Sequence, residues 1–181
     1  VGYSTADGAI GTVTLKENNF DHRAVPHSWK DLTSGHAFRG AGEKFSVELT
    51  GGTETEKAAI DFTNPYIWDK PIRFSTGIMY SNREWDDYDE MRAGMYFLLG
   101  RKVFGSKHWD LSGKYKIERV TLDNFDDGCA PEITSEEGDN WISRMVFKLA
   151  YDTRDDIFDP TSGWYAHVSQ EVAGGPLAGD K

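Results

Sequence analysis

Residues 110–120 read DLSGKYKIERV. Leu111, Gly113, Tyr115 and Ile117 fall on one side of an extended chain, and Asp110, Ser112, Lys114, Lys116 and Glu118 fall on the other. Side chains alternate across a strand with a period of two, whereas a helix would scatter both sets around its axis. The stretch therefore predicts a strand with one apolar and one strongly polar face.

The same period recurs along most of the chain. In KFSVELT (44–50), Phe45, Val47 and Leu49 alternate with Lys44, Ser46, Glu48 and Thr50. In KAAIDFT (57–63), Ala58, Ile60 and Phe62 share a face, and in IRFSTGIMY (72–80) Ile72, Phe74, Thr76, Ile78 and Tyr80 do. Strands are predicted over 1–6, 9–17, 43–51, 56–63, 71–83, 90–100, 108–121, 141–152 and 163–173. This is an all-β, antiparallel up-and-down meander of about nine strands. Its connections alternate in character. ADG (6–8), GGTE (51–54), NREWDDYDE (82–90) and the stretch 123–140 are acidic and polar. FTNPYIWDKP (62–71), GRKVFGSKH (100–108) and DTRDDIFDPTSGW (152–164) carry proline, aromatics and basic residues. Successive connections of a meander lie at opposite ends, so one end of the sheet is acidic. The one long interruption, 18–42, lacks alternation and reads as loop, with Ser28 placed to cap a short helical turn at 28–33.

Bulk properties narrow the class. The 181 residues carry a formal net charge of −10, which argues against a nucleic-acid partner, since such a partner demands a basic face. A single cysteine, Cys129, excludes an internal disulfide. No run of about 18 apolar residues exists for a transmembrane helix. Aromatics make up 13% of the chain, and Trp68, Trp85, Trp109, Trp141 and Trp164 stand near strand ends, as in the girdles of outer-membrane barrels. Strands this long with one wet and one apolar face fit a transmembrane barrel better than a sandwich. In lipid every backbone N–H and C=O must be paired within the protein, so a spanning sheet must close, and bacterial barrels generally have an even strand number. Nine strands are thus expected to be part of a larger barrel, and the ending LAGDK lacks the alternation of a closing strand.

Four motifs, in order, resemble the first half of the barrel of BamA-type outer-membrane assembly factors, the bacterial surface antigen family. These are GYSTADG (2–8) followed by a strand and NNF (18–20), FRGAGEKFSVEL (38–49), FTNPYIWDKP (62–71) and YDTRDDIFDPTSGWY (151–165). The resemblance covers nearly the whole chain. It implies strands one to nine of a sixteen-stranded barrel in the cell outer membrane, with the periplasmic POTRA domains and the second half of the barrel outside this chain. The segment 21–37 is longer than the corresponding turn of the family.

The resemblance also implies a function and its residues. The implied role is folding and inserting other barrels without a chemical step, by templating their strands at a lateral seam. Val1, Gly2, Tyr3, Ser4, Thr5 and Ala6 are then the gate strand; a frayed terminal strand is the plainer alternative. Asn64, Pro65 and Tyr66, and Asp152, Arg154, Asp155, Pro160 and Gly163, become periplasmic turns. The implied partners are unfolded barrel substrates, periplasmic accessory lipoproteins, and the bilayer with its lipopolysaccharide. A secretion transporter or autotransporter assembly factor of the same superfamily is an alternative; a soluble β-rich binding module is another, separated by detergent-dependent solubility. No cofactor or metal is expected. The acidic connections match no calcium-loop spacing and read as solvated, and His22, His27 and His36 are too loosely spaced for a zinc site. No nucleophile or phosphate-loop motif is present.

Overall fold

The computed structural model describes residues 2–4, 8–35, 37–174 and 177. Nine strands follow one another as neighbours in a single sheet, all antiparallel. They are β1 (Gly2–Ser4), β2 (Gly8–Phe20), β3 (Glu43–Gly52), β4 (Thr55–Asn64), β5 (Ile72–Glu84), β6 (Asp89–Lys102), β7 (Trp109–Asp123), β8 (Gly138–Asp152) and β9 (Tyr165–Ala173). Two short helices, α1 (Trp29–Thr33) and α2 (Pro131–Thr134), sit in the two longest connections.

Cross-strand pairing shows why alternation specified the sheet. Leu15 pairs with Val47, Val47 with Ile60, Ile60 with Ile78, Ile78 with Met95, and Met95 with Ile117. One row of apolar side chains thus crosses six strands on one face. A parallel row runs Val13, Leu49, Ala58, Tyr80 and Ala93. The opposite face carries Thr12 against Thr50, Thr63 against Ser75, and Lys116 against Arg144.

Exposure is inverted relative to a water-soluble protein. Val13 and Leu15 are 72% and 64% exposed, and Leu49, Ile78, Leu99 and Val168 on the same face are exposed too. Glu118, Thr50, Thr55 and Ser75 on the polar face are buried, and among the described residues Val120 and Ala150 alone form the buried apolar set. Crowding on the polar face and spreading on the apolar one is what a curved wall produces, with the polar face inside the bend. A wall with its apolar side outward has its solvent match in hydrocarbon.

The inner face is tied together by side chains that reach past a neighbouring strand. Tyr96 on β6 donates its hydroxyl to Asp61 on β4 at 2.7 Å. The ring passes over Gly77 of β5, where a Cβ would stand 2.6 Å from the Asp61 carboxylate and 2.7 Å from the Tyr96 ring, so glycine is required. Arg73 on β5 likewise reaches Asp110 on β7 at 3.1 Å. Glu118, 1% exposed, accepts from Lys116 at 2.7 Å and from Arg144 on β8.

Several strand boundaries shift from the sequence reading; β8, for one, begins at Gly138 and not at 141. β2 runs to Phe20 rather than stopping at residue 17, because its last residues pair with β3 through a register shift between Glu17 and Phe20. That bulge breaks the alternation that would have marked them as strand. β1 is described over Gly2–Ser4; the rest of the expected 1–6 strand, Val1, Thr5 and Ala6, lies outside the described residues, as do His36 and the final AGDK.

Candidate lateral seam and rim turns

The first edge of the sheet is β1. Among the described residues Gly2 pairs with Ile10, Tyr3 with Ala9 and Ser4 with Gly8. β2 pairs with β3 from Ile10 to Phe20. Each ladder bond is worth about 1 kcal/mol net. At the other edge β9 pairs with β8 along nine residues from Tyr165 to Ala173.

The connections following β2, β4, β6 and β8 share one end of the meander. In the β4–β5 turn, Asn64 accepts from the Tyr66 N–H at 2.8 Å through Oδ1, the local bond that makes asparagine a turn former. Its Nδ2 donates to Glu43 at 2.7 Å. Pro65 follows, Tyr66 is exposed, and a 3₁₀ turn over Ile67–Asp69 holds Trp68 and Asp69 at positive φ. Glu43, 1% exposed, also accepts from the His22 N–H at 3.1 Å and lies 2.8 Å from His22 Nδ1. Asp21, His22 and Glu43 bring ligand-type atoms within 4.8 Å of one another. Both Glu43 oxygens are already engaged by His22 and Asn64, so this cluster reads as a clamp fastening the 21–42 segment to β3 and β4. Sequence reasoning missed it, since the partners are 21 residues apart and no local spacing marks them.

The turn 152–164 is built differently. Arg154 donates through Nε and Nη2 to both oxygens of Asp152, at 3.0 and 2.9 Å, and stands 4.7 Å over the Tyr165 ring. The other aspartates serve the backbone. Asp155 Oδ1 accepts from the N–H groups of Asp156, Thr161 and Ser162, and Oδ2 accepts from the Thr161 hydroxyl. Asp156 accepts from the Phe158 and Asp159 N–H groups. Pro160 fixes one φ within the loop. Gly163 sits at φ 102°, where a Cβ would stand 2.3 Å from the Thr153 carbonyl oxygen. So Arg154 pairs with one aspartate, while Asp155 and Asp156 fold the loop. The turn presents Ile157 and Phe158, the latter 96% exposed, at its tip. The two rim turns belong to strands four places apart, and each is internally complete.

The hydroxyl of Thr161, then the N–H of Ser162, hold the Asp155 carboxyl below the usual carboxylate range. A depressed folded pKa contributes stability above the unfolded value of about 4, and that contribution is lost as pH falls through the folded value. Amide protection of Thr161 and Ser162, corrected for intrinsic exchange, should therefore be constant near neutrality and collapse in strong acid. Asp155→Asn should lose about tenfold in protection already at neutral pH. Equal protection in the variant would show that the carboxylate does not hold the turn.

At the opposite end, the acidic connections hold each other. Arg83 lies 3.8 Å over the Trp85 ring, Trp85 stacks near Tyr88, and Tyr88 near Phe125. Asn124 donates to Asp89 at 2.6 Å, and the Asp126 N–H to the Asp87 carbonyl at 2.9 Å.

An open antiparallel meander with an apolar outer face, a polar tied inner face and stiff turns at one end is a sector of an outer-membrane barrel wall. Residues 37–181 match the Omp85 superfamily domain, and the chain belongs to that family. It is 30% identical over 121 residues to the outer membrane protein assembly factor BamA of Nitratidesulfovibrio vulgaris, a match spanning 66% of this chain and 15% of that protein. Its fold matches the crystal structure of BamA from Haemophilus ducreyi lacking POTRA domains 1–3, with a TM-score of 0.63 and 14% identity. That match covers 96% of this chain and 33% of the other, so the chain spans about a third of the BamA structure and less of the curated relative. The family places it in the outer membrane.

Proposed function

We propose that this chain is the first nine strands of a sixteen-stranded barrel that folds and inserts other outer-membrane barrels. On this reading β1 is one lip of a lateral seam, and the turns around Asn64–Tyr66 and Asp152–Gly163 face the periplasm. The acidic connections then face outward from the cell. POTRA domains and the remaining strands belong to the same protein beyond this segment.

The observation that carries the reading is the family match joined to the place of β1 at the first edge of the sheet, where Gly2–Ser4 pair with β2. An edge strand offers N–H and C=O groups to an incoming strand, which is β-augmentation. No bond is made or broken in such a mechanism, so the protein works as a template and not as an enzyme. Its partners are unfolded barrel substrates, periplasmic accessory lipoproteins, and the bilayer with its lipopolysaccharide. Both relatives above are named as BamA, which favours assembly over secretion within the superfamily.

The test is reconstitution, in liposomes with an unfolded client barrel, of the full-length protein that contains this segment. Client acquisition of heat-resistant electrophoretic migration should accelerate at least about tenfold over empty liposomes, the ratio set by about 1.4 kcal/mol of barrier. Clients that fold no faster with the protein than without it would rule the function out.

A further inference from the structure

The long connection between β2 and β3 does not hang off the end of the sheet. Phe38 stacks on Phe20 at 5.8 Å, and Phe20 stacks on Phe45 at 4.9 Å. Phe45 pairs with Phe62 across β3 and β4, on the apolar face that carries Val47 and Ile60. The His22 ring stands edge-on to Phe62 at 6.1 Å. The segment is therefore laid against the outside of the wall. It is fixed there by the Glu43 clamp, by Arg39 donating to Glu17 at 2.7 Å, and by the Asp21 N–H donating to the Phe38 carbonyl at 2.8 Å.

On this fixed base stands α1, started by Ser28, whose hydroxyl accepts from the Asp31 N–H at 3.2 Å. The helix buries none of its residues. Trp29 is 79% exposed, and Val25 and Leu32 are exposed with it. Arg23 and Lys30, also exposed, flank them. A rigidly mounted element that directs tryptophan, leucine and valine outward beside basic side chains has the composition of a membrane–water interface.

We propose that residues 21–42 form an interfacial foot that rests in the phospholipid leaflet around this end of the barrel. Val25, Trp29 and Leu32 enter the boundary between headgroups and acyl chains, and Arg23 and Lys30 meet the phosphates. The occupant is lipid, because the foot is continuous with the exposed apolar face of Val13, Leu15 and Leu49, which the bilayer already covers. The foot also adjoins the exposed Tyr66 and Trp68 of the next turn at the same end. The proposal rests on the outer-membrane location and not on client assembly; a barrel that assembled nothing would still hold lipid this way.

The test places an environment-sensitive fluorophore at Trp29→Cys, in a Cys129→Ser background of the full-length protein that contains this segment, in phosphatidylethanolamine–phosphatidylglycerol vesicles. Emission should shift to the blue. Lipids carrying a nitroxide near the headgroup should quench it more than lipids carrying one at the chain end. Iodide should quench it several-fold less than the same label at Asp127→Cys in the acidic connection. Leu32→Cys provides an independent second position, and heat-modifiable migration reports that each variant is folded. Iodide quenching equal to that at position 127, with no response to nitroxide lipids, would overturn the proposal. Shielding from iodide without nitroxide-lipid quenching would overturn it too, by showing that another protein chain covers the foot.

Discussion

A disulfide between Ser4→Cys on β1 and a cysteine in the barrel's closing strand should reduce client assembly to the level of empty liposomes. Reduction should restore it fully. The reasoning is energetic. At about 1 kcal/mol per net backbone hydrogen bond, a seam closed by about three such bonds would cost about 3 kcal/mol to open. That leaves on the order of 1% of molecules open at equilibrium, a population from which a client strand can select. A covalent bond removes that population without altering the rest of the wall. Each single-cysteine variant should behave as wild type, in a Cys129→Ser background. If the locked barrel assembles clients at the normal rate, the gate fails and β1 is only a frayed edge.

The second large effect is expected at Glu118. This side chain is 1% exposed and holds both Lys116 and Arg144 on the inner face. Removing the shared anion leaves two cations facing each other across β7 and β8, where Lys116 pairs directly with Arg144. Breaking a buried ion pair from one side typically costs 3–5 kcal/mol. Both cations keep partial access to water, so Glu118→Gln should sit at the low end, about 3 kcal/mol. Urea unfolding from liposomes measures it. The double variant Glu118→Gln with Arg144→Met should recover part of the loss; a Glu118→Gln loss below about 0.5 kcal/mol would mean water screens the triad.

The strands were legible because burial acts on every second residue, and a period of two survives local noise. Ile60, Ile78 and Ile117 sit on the face their alternation assigned them. The short helix after Ser28 was legible for a local reason, since a cap and the N–H that donates to it are three residues apart. What alternation could not show is anything carried by contacts distant in sequence. Glu43 begins a strand, and it is buried because His22 and Asn64 reach it from two other segments. Likewise the stacking of Phe20 on Phe38, 18 positions apart in sequence, is what turns a loop into an attached element. α2 escaped notice because its four residues offer less than two turns of pattern and Ala130, before it, gives no side-chain cap. The turn at Asp152–Gly163 was legible as a turn motif, but which aspartate pairs with Arg154 was not, since all are within reach in an unfolded loop.

The side chains that reach past a neighbouring strand have a mechanical meaning. A ladder of backbone bonds resists pulling two strands apart, yet each strand can still slide along the next by breaking and remaking equivalent bonds. A brace from β4 to β6, such as Asp61 to Tyr96, or from β5 to β7, such as Arg73 to Asp110, has no equivalent partner one step along. It resists shear as a diagonal strut stiffens a frame. With Glu118 fastening β7 to β8, the wall from β4 to β8 is a braced panel whose register is locked. Beside it, β1 to β3 joins the panel along the β3–β4 ladder and at one corner, where Asn64 holds Glu43, like a door leaf on its jamb.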